Sequence, residues 1–175
     1  MNTFETMGKL IDEFDKMCKV VEMENADLER KIEEKEEMAY FNMCTDLAPY
    51  YAFYLDKKLP SIYIELDMEI KYYGEICIPV VCFHGNAVYI ATKNKLRSYN
   101  GLNMNPITRR RDFDAYENLK YIGGVSAITD VAKVWNKHAK EFERKFMLEV
   151  QKILTNKAEK LNNENEKLRR GLETC

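Results

Sequence analysis

From Phe4 onward, apolar residues recur at alternating steps of three and four: Phe4, Met7, Ile11, Phe14, Cys18 and Val21, then Asn25, Leu28 and Ile32. A mean spacing of 3.5 residues keeps one seam of a helix turned toward a partner helix, which is the coiled-coil pattern. Phe4, Ile11, Cys18, Asn25 and Ile32 take position a, and Met7, Phe14, Val21 and Leu28 take position d. Asn2 and Glu5, three residues apart, form a helix-starting capping box. No Gly or Pro interrupts the run from Lys9 to Ala48.

A second helix is predicted from about Val131, capped by Thr129 or Asp130. Its first half carries a broad stripe of Val131, Val134, Trp135, His138, Phe142, Phe146, Val150 and Ile153, the width expected of a core-packing face. From Leu154 the stripe narrows to a seam of Leu154, Ala158, Leu161, Asn165, Leu168 and Leu172. In both helices a lone Asn stands at a with Leu at the following d, which resembles the leucine-zipper pattern. Two such Asn side chains hydrogen-bond across a parallel seam and set its register, whereas on a helix packed against its own domain Asn25 is a plain surface residue. If the two helices pair within one chain, they are expected to run antiparallel, one arriving at the middle region and one leaving it. The acidic e positions Asp15, Glu22, Glu29 and Glu36 favour that pairing with the basic second helix, but it does not bring Asn25 to Asn165. A four-helix dimer satisfies both.

Between the helices the period changes. Thr45-Asp46-Leu47-Ala48-Pro49 predicts a break and a fresh helix start, with Pro in the first turn of a short helix ending near Lys57. Ile62, Ile64, Leu66, Met68 and Ile70 alternate with Tyr63, Glu65, Asp67, Glu69 and Lys71, a period-2 strand. A second strand at 76–84, a Gly85-Asn86 hairpin turn and a third strand at 87–92 follow, with Pro79 demanding an edge or a bulge. A weak strand at 95–99 and a short one at 121–122 are further expectations. The predicted fold is α+β: a small antiparallel meander flanked by long N- and C-terminal helices that form a coiled coil. The expected divisions are 1–44, a coiled-coil helix; 45–128, the α+β middle domain; and 129–175, a helix that first packs on the core and then coils.

The overall net charge of −2 argues against a polycation, but the charge is in blocks. Residues 1–40 hold six basic and twelve acidic residues, 85–111 hold six basic and none acidic, and 131–175 hold eleven basic and seven acidic. The basic stretch, Lys93, Lys95, Arg97, Arg109, Arg110 and Arg111 with Tyr99 among them, is a candidate anion or nucleic-acid contact. The other reading is a solvated turn region that offsets the acidic first helix. No recognised nucleic-acid-binding module accompanies it. Tyr50, Tyr51, Tyr54, Tyr63, Tyr72 and Tyr73 crowd near the first strand and suggest an interaction face, though tyrosine is also an ordinary strand former.

Catalytic signals are sparse. Cys77, Cys82, His84 and Cys44 invite a metal reading, but Cys77 and Cys82 have opposite parity on a strand, so buried thiols are expected instead. Glu65, Asp67 and Glu69 share a strand face as candidates for cation binding or acid–base work, or as simple solvent-facing charge. No phosphate loop or hydrolase motif is present, and neither a cofactor nor a metal is expected. The odd, scattered cysteines, the lack of a signal-like start and apolar runs too short for a membrane span point to a cytoplasmic protein. The Lys-, Glu-, Asn-, Ile- and Tyr-rich composition suggests an AT-rich coding source. Chains of this character are common among phage accessory proteins, including inhibitors of host defence. The expected function is therefore a non-enzymatic homo-oligomer, dimer or higher, that binds a protein partner. The alternative is a dimeric nucleic-acid binder working through 93–111.

Overall fold

A computed structural model describes residues 2–72, 74–94, 103–109 and 126–175. Helix α1 runs without interruption over Thr3–Asp56. At its start the Asn2 side chain accepts from the Phe4 amide, and the Asn2 amide donates to Glu5, so the capping box closes as expected. At its end Lys58 adopts φ 49°, Lys58 N–H donates to Leu55 O and Leu59 N–H to Tyr54 O. That is a Schellman cap with a lysine in the left-handed position glycine usually takes.

The expected break at Thr45–Pro49 does not occur. Pro49 lies inside α1, and the Thr45 hydroxyl bonds back to Phe41 O within the helix rather than capping a new one. The reason is burial. Tyr40, Met43, Cys44, Leu47, Tyr51 and Tyr54 form one stripe that passes Pro49 without changing face. A proline inside a helix costs about 3 kcal/mol. Burying six such side chains gains roughly 1.5–3 kcal/mol each, so the core holds the helix together across the proline.

The sheet comprises β1 (Ile62–Glu65), β2 (Ile70–Tyr72), β3 (Glu75–His84), β4 (Ala87–Asn94) and β5 (Asn103–Arg109). All pairings are antiparallel: β1 and β2 lie along the same edge of β3, then β4, then β5. The hairpin turn falls at Gly85-Asn86, with Gly85 at φ 58°. The single first strand expected over 62–71 is two strands. Glu65 pairs with Val80 but Ile70 with Cys77, so two extra residues are taken up between them. Leu66 N–H donates to Pro79 O, which shows that Pro79 turns its backbone polar side toward this edge. Its missing N–H therefore faces the gap between β1 and β2, where no ladder bond is required. The bulge expected at Pro79 is thus carried by the neighbouring strand. Strand β5 was not foreseen, and the strands expected at 95–99 and 121–122 lie outside the described residues.

Helix α2 (Ser126–Glu173) begins a few residues before the expected cap. Its residues Ile128, Val131, Ala132, Trp135, Phe142 and Phe146 join the α1 stripe and Ile62, Ile64, Val81, Phe83, Val88 and Ile90 in one core. Both helices therefore cover the same sheet face. Val80, Cys82 and Ala91 form a smaller buried cluster on the other.

Candidate interaction surfaces

Four contacts set the direction in which the helices pack. Glu36 pairs with Lys133, Asp46 accepts from the Trp135 indole at 2.9 Å, Tyr50 meets Phe142 edge-on at 5.1 Å, and Phe53 meets Phe146 at 6.4 Å. Residue numbers rise together along both helices, so α1 and α2 run in the same sense where they touch. The antiparallel pairing expected within one chain is thereby replaced by a parallel one. The sheet between the two helices returns the chain to the end where it started.

This polarity sends the two unpacked halves in opposite directions. The first part of α1, from Thr3 to about Lys35, leaves one end of the core as about 50 Å of helix. The last part of α2, from Leu154 to Glu173, leaves the other end as about 30 Å. Their seams cannot cover one another within a chain. Ile11, Phe14, Val21, Leu28 and Ile32 on α1, and Leu154, Leu161 and Leu168 on α2, are each more than half exposed, and Asn25 and Asn165 are exposed with them.

The α1 free half is broader than its a/d seam. Leu10, Met17, Val20 and Met23 are also exposed, widening the apolar face through its first half. Farther along, Leu28, Ile32 and Met38 line a groove with Lys31, Glu34 and Lys35. Asp27 is bridged to Arg30 and Lys31, and Arg30 also to Glu34. The Lys31 and Arg30 partners hold the Asp27 carboxyl below its ordinary pKa. These ion pairs lie on the exposed surface and add little to stability. The α2 free half is narrower, but its d column reaches back into the packed half: Met147, Leu154, Leu161 and Leu168 are 57%, 56%, 57% and 71% exposed at intervals of seven. Met147 was missed in the sequence because the broad core stripe beside it masks the narrower period.

The tyrosine group does not form one exposed face. Tyr51 and Tyr54 are core residues at 2% and 5% exposure, and Tyr50 is half-buried against Phe142 and Phe146. They lie on the inner stripe of α1 once that helix continues past Pro49. Tyr63 is exposed on β1. Tyr73 and the Tyr72 side chain lie outside the described residues.

Of the basic stretch, Lys93 is exposed and ion-paired with Glu65 across β3. Arg109 ends β5 opposite Ala87. Lys95, Arg97, Tyr99, Arg110 and Arg111 lie outside the described residues. The acidic trio is dispersed rather than gathered on one strand face. Glu65 binds Lys93, while Asp67 binds Lys145, which also reaches Glu65 O and Glu141. This knot ties the β1–β2 bulge to α2. Its hydrogen-bond contacts, with Glu141 first and then with the Lys145 ammonium, hold the Asp67 carboxyl below its ordinary pKa.

The cysteines do not converge. Cys77 packs with Ile70, Cys82 with Val80 and Ala91, and Cys44 lies in the main core. Burial pushes the Cys44 thiol up to about 11 and the Cys82 thiol to about 12. Among the described residues, no three His, Cys, Asp or Glu side chains gather to hold a metal ion. One polar pair escaped the sequence reading. Ser61 Oγ lies 2.6 Å from His84 Nδ1, with Tyr54 hydrogen-bonded to Ser61. The β1–β3 register, which places Ile62 opposite Phe83, makes 61 and 84 neighbours. Among the described residues no carboxylate orients that imidazole, so the third member of a nucleophile–base–orienter set is missing there. No helix among the described residues is long and apolar enough to cross a membrane.

No protein family, curated protein or solved structure matches this chain.

Proposed function

We propose that this chain is a non-enzymatic, oligomeric interaction protein: a small α+β body that carries two divergent helical arms, each built to dock against another helix. The carrying observation is the pair of exposed heptad seams on helix halves that the chain itself leaves uncovered. Monomeric proteins rarely display continuous apolar stripes of this length, and such stripes mark interaction sites. The body supplies a rigid base and the arms supply reach. A phage or mobile-element accessory role, binding and inhibiting a host defence protein in the cytoplasm, agrees with the composition and small size.

The test is affinity capture from the native host with the wild-type chain and with a Phe14→Glu/Val21→Glu variant. A specific protein retained by the first and lost from the second supports the reading. A capture profile unchanged by both substitutions removes the α1 arm as a docking element.

The second reading is a dimeric nucleic-acid binder, favoured by the block of six basic and no acidic residues at 85–111. Binding of labelled DNA or RNA at low ionic strength that weakens steeply with salt, and is lost in Arg109→Ala/Arg110→Ala/Arg111→Ala, would establish it. No binding at low salt rules it out.

A further inference from the structure

We infer that the α2 arm pairs with the same arm of a second copy, as a parallel, in-register two-stranded coil with Asn165 facing Asn165 of that copy. The inference rests on the oligomeric reading above and names the occupant of one arm.

Three observations single out α2. The first is its core positions. Met147, Leu154, Leu161 and Leu168 fill four successive d sites, and the a sites between and after them are Gln151, Ala158, Asn165 and Leu172. Leucine at d with a lone Asn at a favours two parallel strands, because only facing Asn side chains satisfy each other in the seam. The α1 arm has Met7, Phe14, Val21, Leu28 and Lys35 at d, no such uniform column.

The second is charge. In a parallel coil each g residue faces the e residue five positions on in the other chain. In α2 that brings Glu164 to Arg169 of the second copy, an attractive pair, and Lys157 to the neutral Asn162. Among the described residues neither Glu164 nor Arg169 has an ion-pair partner in its own chain. The α1 arm paired the same way sets Glu24 against Glu29 of the other copy. The α2 arm from 154 to 175 carries five basic and four acidic residues, so two copies meet with almost no net repulsion. The α1 arm from 3 to 35 carries six basic and ten acidic residues.

The third is direction. Because α1 and α2 pack in the same sense, the α1 arm of the same chain points away from the α2 seam and cannot fill it. A parallel α2 pair places both bodies at one end of the coil. Both α1 arms, with their wider apolar faces, then remain free for a different partner.

The exposed Cys175 lies two residues beyond the end of α2, where the next d site of the heptad would fall. Parallel pairing brings two Cys175 thiols together, whereas antiparallel pairing separates them by the length of the coil.

The test is sedimentation of the full chain under reducing conditions at micromolar concentration. The expected result is a dimer for the wild type and for Phe14→Glu/Val21→Glu, and a monomer for Leu161→Glu/Leu168→Glu. The near-UV circular dichroism of Trp135 should be unchanged in all three, because both leucines lie clear of the core. Asn165→Leu, a gain rather than a loss, should tighten association by about tenfold or raise the stoichiometry. Mild oxidation with diamide should link the wild-type dimer through Cys175, and Cys175→Ser should abolish the link. A monomeric wild type, or a leucine variant that stays dimeric, overturns the proposal. A dimer lost only in the α1 variant overturns it while leaving the oligomeric reading intact. A dimer that oxidation cannot link overturns the parallel register.

Discussion

Each long helix of this protein is two structures joined end to end. From Tyr40 to Tyr54 and from Ile128 to Phe146, α1 and α2 are core helices, with broad stripes buried against each other and against β1, β3 and β4. Beyond those limits the same helices continue with heptad-spaced apolar residues, and almost every residue is exposed. Propensity hardly changes across the join. What changes is the number of neighbours the apolar face needs. A wide aromatic stripe closes a core with two elements at once, whereas a seam of one residue every three or four closes against a single helix. The packed halves are therefore covered within the chain, and the apolar faces of the free halves are left exposed.

Hydrogen exchange gives the largest contrast. Amides of 40–54 and 128–146 should exchange only through global unfolding, and those of 3–35 should exchange orders of magnitude faster. Protection of 154–173 at high concentration, lost on dilution, would sharpen the comparison. Equal protection along the whole of α1 would break it.

Next in size is Trp135→Ala, which removes a buried indole and its bond to Asp46 and should cost about 3–5 kcal/mol in denaturant unfolding. Leu161→Ala, on the free half, should leave the unfolding of the monomeric body unchanged. Pro49→Ala tests the continuity of α1. Because the helix passes through an exposed Pro49, the substitution should stabilise by up to about 3 kcal/mol. Destabilisation would mean that the proline marks a real boundary.

Alkali should act on the packed body, where the Cys44 and Cys82 thiols are buried. Cys44 has a folded pKa raised by burial from 9.0 to about 11. Its neutral thiol therefore contributes stability below pH 9, and that contribution is lost as the pH rises from 9 through about 11. Cys44→Ala should flatten this decline in a pH series of melting temperatures. In the same spirit, thiol reagents at neutral pH should modify Cys175 quickly and Cys44, Cys77 and Cys82 only on unfolding. The smallest effect is at the cap. Lys58→Gly relieves a left-handed lysine and should raise stability by up to about 1 kcal/mol.

Much of this was legible in the chain. The capping box at Asn2, the hairpin turn at Gly85-Asn86, the irregularity at Pro79 and the change of stripe width at Leu154 are all local signals, carried by residues a few positions apart. The candidate arms were legible for the same reason, since a heptad is a short-range pattern. Legibility failed where distant segments decide. Thr45 and Pro49 carry a genuine helix-start signal, which the buried stripe from Tyr40 to Tyr54 overrides. The alternation from Ile62 to Ile70 reads as one strand, but pairing with a β3 that contains Pro79 splits it in two. Tyr51 and Tyr54 read as an exposed face until the continuous helix turns them inward.

The start of α1 at Asn2, the seam spacing and the antiparallel hairpin were thus determined by the sequence itself, because backbone propensity, capping and apolar periodicity act over one or two turns. The direction in which α1 and α2 meet was decided only by the tertiary structure. It depends on how the sheet between them returns the chain and on which side chains, from Glu36 with Lys133 to Phe53 with Phe146, can be buried together. That one long-range choice separates the two arms, so that neither covers the other.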